Sequence, residues 1–186
     1  RPTTPPATSR PASPVVSSRA VHIDKNPPTA GFTKPVHLSA YQPTVLSGGS
    51  ALTGTATDAE AFLYKSDPIL ATGVHSLIWY LEGGTSYYFN SAACAPANFC
   101  ATTTPEASWS TAAWAGSWEI FFNAANWVSD KRYRAQVRAR DRARVSTGTV
   151  VGNLSTPGTV GQDFLDFIVD GTPPQSSVRS HLDGTF

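Results

Sequence analysis

The sequence predicts an all-β fold, an antiparallel sandwich with an extended N-terminal arm, and three observations carry that reading. Residues 131–141, KRYRAQVRARD, alternate Tyr133, Ala135, Val137 and Ala139 with Arg132, Arg134, Gln136, Arg138 and Arg140. That period of two buries one face of a strand and wets the other, whereas a helix would scatter the arginines around its circumference. Other short runs rich in β-branched and aromatic residues recur between Gly, Pro, Asn and Asp turn signals. No stretch offers a capped helix with an apolar stripe. Residues 131–141 are therefore expected to form the central strand.

Taken in order, the chain opens with residues 1–18, RPTTPPATSRPASPVVSS, which hold five prolines and seven Ser or Thr residues. This composition cannot pack a core and favours extended polyproline-like backbone. Thr3, Thr4, Thr8 and Ser9 are candidate O-glycosylation acceptors, with a plain disordered linker as the alternative. In residues 20–30, AVHIDKNPPTA, Val21 and Ile23 flank His22 in strand alternation until Asp24 and the pair Pro27 and Pro28 end it. Residues 167–174, FIVDGTPP, repeat that signal at a constant offset, since 170 − 24 and 173 − 27 are both 146. A unit of this length between two such signals is how one module of a tandem array reads. The division expected is an arm over residues 1–26, a sandwich over 27–174, and an extension or next junction over 175–186.

Between the boundaries, residues 50–58 (SALTGTATD) and 74–81 (VHSLIWYL, ending at Gly83 and Gly84) are strands expected to face each other. Residues 85–90, TSYYFN, are expected as a short edge strand returning from the diglycine. Residues 117–123, SWEIFFN, put Trp118, Ile120 and Phe122 on one side. After 131–141 comes a long polar connection, then a last strand over 162–170 with Leu165, Phe167 and Val169 on one face.

Size and composition narrow the function classes. With 186 residues, 40% hydrophobic and 11% aromatic, the chain can bury a real core as one domain plus an arm. A net charge of +1 gives no broad basic field, so nucleic-acid binding is set aside. No apolar run approaches the roughly 18 to 20 residues of a membrane helix, and no signal peptide opens the chain, so membrane insertion is not expected. A chain that begins at Arg1 and holds no methionine is expected to have had something upstream. Cys94 and Cys100 sit in AACAPANFC. A disulfide pinching a surface loop is preferred to free thiols, and a metal site is disfavoured because no further His or Cys lies near. The disulfide implies an oxidising, extracellular or periplasmic setting.

The succession of ALTGTATDA (51–59), an aromatic-rich middle (Tyr87, Tyr88, Phe89, Trp109, Trp114), SWEIFF (117–122), DKRYRAQVRARD (130–141) and FIVDGTPP (167–174) resembles the bacterial immunoglobulin-like repeat domains of large secreted and cell-surface proteins. The resemblance covers roughly residues 27–174 and implies an immunoglobulin-like β-sandwich. It also implies that the tail of one repeat runs through a proline-rich junction into the first strand of the next, as residues 176–185, SSVRSHLDGT, read. The insertion over 59–73, the connection over 142–162 and the cysteine loop depart from the family pattern.

Chemistry-bearing residues are sparse. His22, His37, His75 and His181 are scattered with no carboxylate or nucleophile at a suggestive spacing, so neither an enzyme nor a cofactor is expected. In an immunoglobulin-type sandwich Asp58 and Asp141 would share a pole near Asp24; three carboxylates there can hold Ca²⁺, but turn-capping is the plainer account and no metal is assigned. Tyr87, Tyr88, Trp109 and Trp114 would stack on sugars if exposed, with packing the plainer account. The stripe of Arg132, Arg134, Arg138 and Arg140 would grip acidic glycans or simply solvate a sheet face. Asn153, in Asn153-Leu154-Ser155, fits the N-glycosylation pattern.

The expected function is that of an extracellular structural protein on the cell surface or secreted. Residues 15–24, with Val15, Val16, Val21 and Ile23 as the assembly strand, carry a signature whose place is the edge of an immunoglobulin-like module. Were the chain a complete subunit, this strand would join the sheet of another copy. Head-to-tail contacts of that kind do not close, so the partners are other copies in a homopolymeric filament. The alternative is a carbohydrate-binding or adhesive module of a larger surface protein or secreted enzyme, using Trp109 and Trp114 on glycans.

Overall fold

A computed structural model describes residues 24–58, 73–90, 98–101, 105–142 and 152–177. Its strands are β1 (Thr29–Lys34), β2 (Ala40–Tyr41), β3 (Gly48–Thr57), β4 (His75–Glu82), β5 (Thr85–Phe89), β6 (Phe99–Ala101), β7 (Ser110–Thr111), β8 (Ala113–Trp114), β9 (Trp118–Phe122), β10 (Lys131–Arg138) and β11 (Phe164–Val169). The two helical pieces among the described residues are single 3-10 turns, Pro105–Ser108 and Ala124–Asn126. No helix there is long and apolar enough to cross a membrane.

The strands form two sheets packed as an all-β sandwich. One runs β1-β3-β9-β8; the other runs β2-β11-β10-β4-β5-β6, with β7 added to β4. Pairing is antiparallel except that β2 lies parallel to β11. The alternating segment becomes β10, held between β11 and β4, with Tyr133, Ala135 and Val137 fully buried. The strand stops at Arg138; Arg140 continues only as a bridge to Leu154. Residues 50–58 and 74–81 fall in opposite sheets as β3 and β4. Residues 85–90 do not form an edge: β5 turns back from β4 through Gly83 and Gly84, both at positive φ as a two-residue hairpin requires, but β6 pairs along its outer side. The sequence left β6 unmarked because it has three residues and stands beside the cysteine loop.

The core is richest in rings near the start of β10. Phe122 stacks on Trp127 at 4.6 Å, Trp127 meets Tyr133 edge-on at 4.9 Å, and Tyr133 lies 5.7 Å from Phe167. Each such pair adds about 0.5–1.5 kcal/mol beyond the burial of its area. Of these four rings, the two with polar edges find partners. The indole N–H of Trp127 donates to the Leu46 carbonyl, and the Tyr133 hydroxyl accepts from Val128 N at 2.7 Å and donates to Val128 O at 3.1 Å. Burial raises the pKa of the Tyr133 phenol, so it stays a donor.

These pairings place the ends of the sandwich. Lys131 stands opposite Val169, so the chain leaves the last strand at the pole where β10 begins. Asp24 lies with Asp58, just past β3, and Asp141, just past β10, so the chain comes in at the other pole.

Candidate functional site

The incoming pole gathers buried carboxylates, whereas most of the interior among the described residues is apolar. Asp58 is 4% exposed and Asp141 1%, and carboxylate oxygens of Asp24, Asp58 and Asp141 lie within 4.8 Å of one another. Carboxylates brought so close repel unless donors or a cation stand between them. Asn153 supplies donors. Its backbone N–H donates to Asp141 Oδ1 at 2.7 Å and its Nδ2 to Asp141 Oδ2 at 2.8 Å. The same Nδ2 reaches the carbonyl oxygens of Asp24 at 3.3 Å and Asn26 at 3.5 Å. Asp24 in turn accepts the N–H of Asn26 on its Oδ1 at 3.0 Å, an Asx turn that shapes the chain before Pro27 and Pro28.

The local fold explains why Asn153 arrives there. Residues 152–155 return along the end of β10: Asp141 N donates to Asn153 O, Ser155 N to Ala139 O, and Ala139 N to Ser155 Oγ, at 3.1, 2.9 and 2.8 Å. Gly152 makes the approach, with φ 66° and no space for a Cβ, which would overlap the Asp141 carbonyl and the Arg140 side chain. The three aspartates can thus serve as acceptors at turns or as oxygen ligands to a hard cation. The bonds on Asp24 and Asp141 are those of the first use.

The other sequence-marked groups are engaged elsewhere. Asp166, on the outer face of β11, takes Arg132 at 3.0 Å and Arg134 at 3.1 Å. Arg138 pairs with Glu106 at 3.2 Å and lies 3.9 Å over the ring of Trp109. Lys131 pairs with Glu82. Most of the arginine stripe is therefore bound within the sheet face. Tyr87 stacks on Tyr80 and Tyr88 on Trp79, while Trp114 packs against the core; all four aromatics marked for glycan stacking are half-buried. His37 Nδ1 accepts the N–H of Asp166 at 3.1 Å. His75 has its pKa lowered, first by burial and then by Arg138 and Arg140.

Cys100 on β6 is disulfide-bonded. Val15, Val16, Val21, Ile23, Thr3, Thr4, Thr8, Ser9 and Cys94 lie outside the described residues. Asn153 is in place as a hydrogen-bonding residue, and the nitrogen that a glycan would occupy is the one that holds Asp141 and the incoming backbone. The sequence missed that role, and the signal for it was the Gly152-Asn153 pair in a long polar connection. It also missed Asp166, an acid interrupting the apolar run FLDFIV opposite Arg134. Compared with protein-family models, with curated proteins and with solved structures, the chain finds no match.

Proposed function

We propose that the chain is an extracellular structural module, an immunoglobulin-like sandwich used end to end, and that residues 21–23 serve as a strand belonging to the core of a neighbouring sandwich. The strand order supports the immunoglobulin-like reading: β3 neighbours β9 in one sheet while β4, β10 and β11 are consecutive in the other. So does the tie between the Tyr133 hydroxyl and the backbone of Val128 just before its strand. The disulfide at Cys100 supports an oxidising compartment.

The observation that carries the functional reading is a register. At the offset of 146, Val21 and Ile23 correspond to Phe167 and Val169, the residues that β11 turns into the core, both 0% exposed. The arm thus carries the apolar pattern of a final, core-facing strand. This chain's own final strand is already in place between β10 and β2. A strand so patterned serves another sandwich, and backbone ladders with alternate side chains in pockets supply the affinity. With copies as neighbours, the contact repeats without closing and makes a filament.

Deletion of residues 1–23 tests the reading. Sedimentation and negative-stain electron microscopy should show the full chain associating end to end and the shortened chain as a folded monomer. Association that survives the deletion, or a full chain that stays monomeric at every concentration, overturns strand addition between copies.

A further inference from the structure

Seven large apolar side chains are exposed among the described residues, and four of them, Val45, Leu81, Phe121 and Ile168, lie at the outgoing pole. Ile168 stands opposite Arg132, and Leu81 follows the Tyr80 that faces Tyr133, both at the start of β10. Val45 precedes Leu46, whose carbonyl holds Trp127, and Phe121 precedes Phe122, which stacks on the same indole. Apolar groups exposed together at one end mark a contact surface.

An open sheet edge lies there too. β9 pairs with β3 as far as Phe122, but on its other side β8 reaches only Trp118 and Glu119. The chain just before β8 belongs to the other sheet, where Ala112 N donates to Val74 O at 2.9 Å. Among the described residues, Ile120, Phe121 and Phe122 therefore have no strand beside them on that edge. Ile120 and Phe122 turn into the core, while Phe121 is 67% exposed. The edge of β1, by contrast, is closed by Gln162, whose carbonyl accepts the N–H of Phe32 at 2.9 Å.

We infer that this stretch of β9 is the edge that receives the arm, with Val21 and Ile23 of the next copy lying along it, parallel to β9 and level with Ile120 and Phe122. The inference rests on the end-to-end reading above and names the receiving residues. The periods match: Val21 and Ile23 flank His22 as Ile120 and Phe122 flank Phe121, so both apolar pairs share one face of the sheet. Direction follows from the poles. Phe122 pairs with Gly48 where β3 begins, and β3 closes at Asp58, so β9 runs towards the outgoing end. In an end-to-end row the next copy brings its Asp24 to this pole, and its residues 21–23 run towards the same junction, which makes the pairing parallel, as β2 is to β11. The chain's own arm cannot take the place. Ile23 is one residue, about 4 Å, from Asp24, which lies beside Asp58, whereas Phe122 stands ten residues of β3, about 30 Å, away.

Two measurements on the full chain test it. In the first, copies carrying His22→Cys with a nitroxide label are mixed with isotope-labelled unsubstituted copies at an associating concentration. The strongest broadening of amide signals in the isotope-labelled copies should fall on Ile120, Phe121 and Phe122. Strongest broadening at another edge, such as Phe99–Ala101, overturns the β9 edge and leaves strand addition standing. In the second, Phe121→Lys puts a charge on the edge. Because the ring is exposed, the thermal midpoint should move by less than about 2 °C, while the concentration needed for association should rise several-fold. Association unchanged by Phe121→Lys but abolished by deleting residues 1–23 overturns the edge alone. A full chain that does not associate overturns the edge and strand addition together.

Discussion

The two poles of this sandwich are built from opposite materials. At the outgoing pole Phe122, Trp127, Tyr133 and Phe167 pack ring on ring, with polar edges tied to nearby backbone. At the incoming pole three carboxylates and Asn153 take the equivalent place. Apolar packing is non-directional and scales with area, so the aromatic pole supplies stability. Hydrogen bonds to charged acceptors are directional and fix one geometry, so the polar pole supplies placement of the incoming chain as well as a smaller share of stability. The difference teaches that the sandwich is stabilised at one end and addressed at the other.

The largest effect should come from the aromatic pole. Trp127→Ala removes a ring packed against four others and is expected to lower stability by about 3–5 kcal/mol, read from the denaturant midpoint. A loss no larger than that of a polar-pole variant breaks the contrast. Asn153→Ala, next in size, takes the side-chain amide donor from a buried Asp141 and from the Asp24 and Asn26 carbonyls, and should cost about 1–3 kcal/mol. Its distinguishing mark is local: the amide protons of residues 24–26 should exchange faster than in the unsubstituted chain while those of the strands do not. Uniform loss of protection would mean that the polar pole stabilises the whole sandwich rather than placing one segment.

Tyr133→Phe keeps the ring and removes both hydrogen bonds to Val128, so about 1–2 kcal/mol should be lost with the aromatic packing intact. Near-UV circular dichroism that collapses along with stability would show that the tie, not the packing, holds that pole. The smallest effect concerns His75, whose pKa lies below its ordinary 6.5. The unfolded chain takes up the proton first, so the stabilising contribution is complete above pH 6.5 and is lost as pH falls from there through the lower folded value. Replacing His75 with Gln should flatten the fall in stability below pH 6.5, as followed by thermal melts. An unchanged slope would show that His75 is not the source of the acid sensitivity.

How much of this was legible follows from the periods involved. Strands β3, β9, β10 and β11 announce themselves because burial of one face writes alternation into sequence, and β4 and β5 do so by their aromatic and β-branched residues on either side of Gly83 and Gly84. The strands β2, β6, β7 and β8 have two or three residues, too few to express a period, and β1 follows Pro27 and Pro28 with a run, TAGFTK, whose small residues blur it. The meeting of Asp24, Asp58 and Asp141 was foreseen because each closes or precedes a strand and a sandwich gathers strand ends. Asn153 was not, since its contacts depend on a loop returning to β10 through Gly152, and return paths leave no periodic trace. The pairing of Arg132 and Arg134 with Asp166 was hidden for a related reason: cross-strand partners follow from register, which a single strand's sequence does not state.

The measurement that bears most directly on the central claim is amide hydrogen exchange at Val21 and Ile23 in the full chain, followed by NMR over a wide concentration range. A strand that belongs to a neighbouring sandwich is protected only when a neighbour is present. Protection at these two positions should therefore rise with concentration, in step with end-to-end association, while the amides of β10 stay protected throughout. Protection of Val21 and Ile23 that is already full in dilute monomer would mean that the arm completes its own sandwich. Either that result, or exchange that stays fast in the assembled state, contradicts the account.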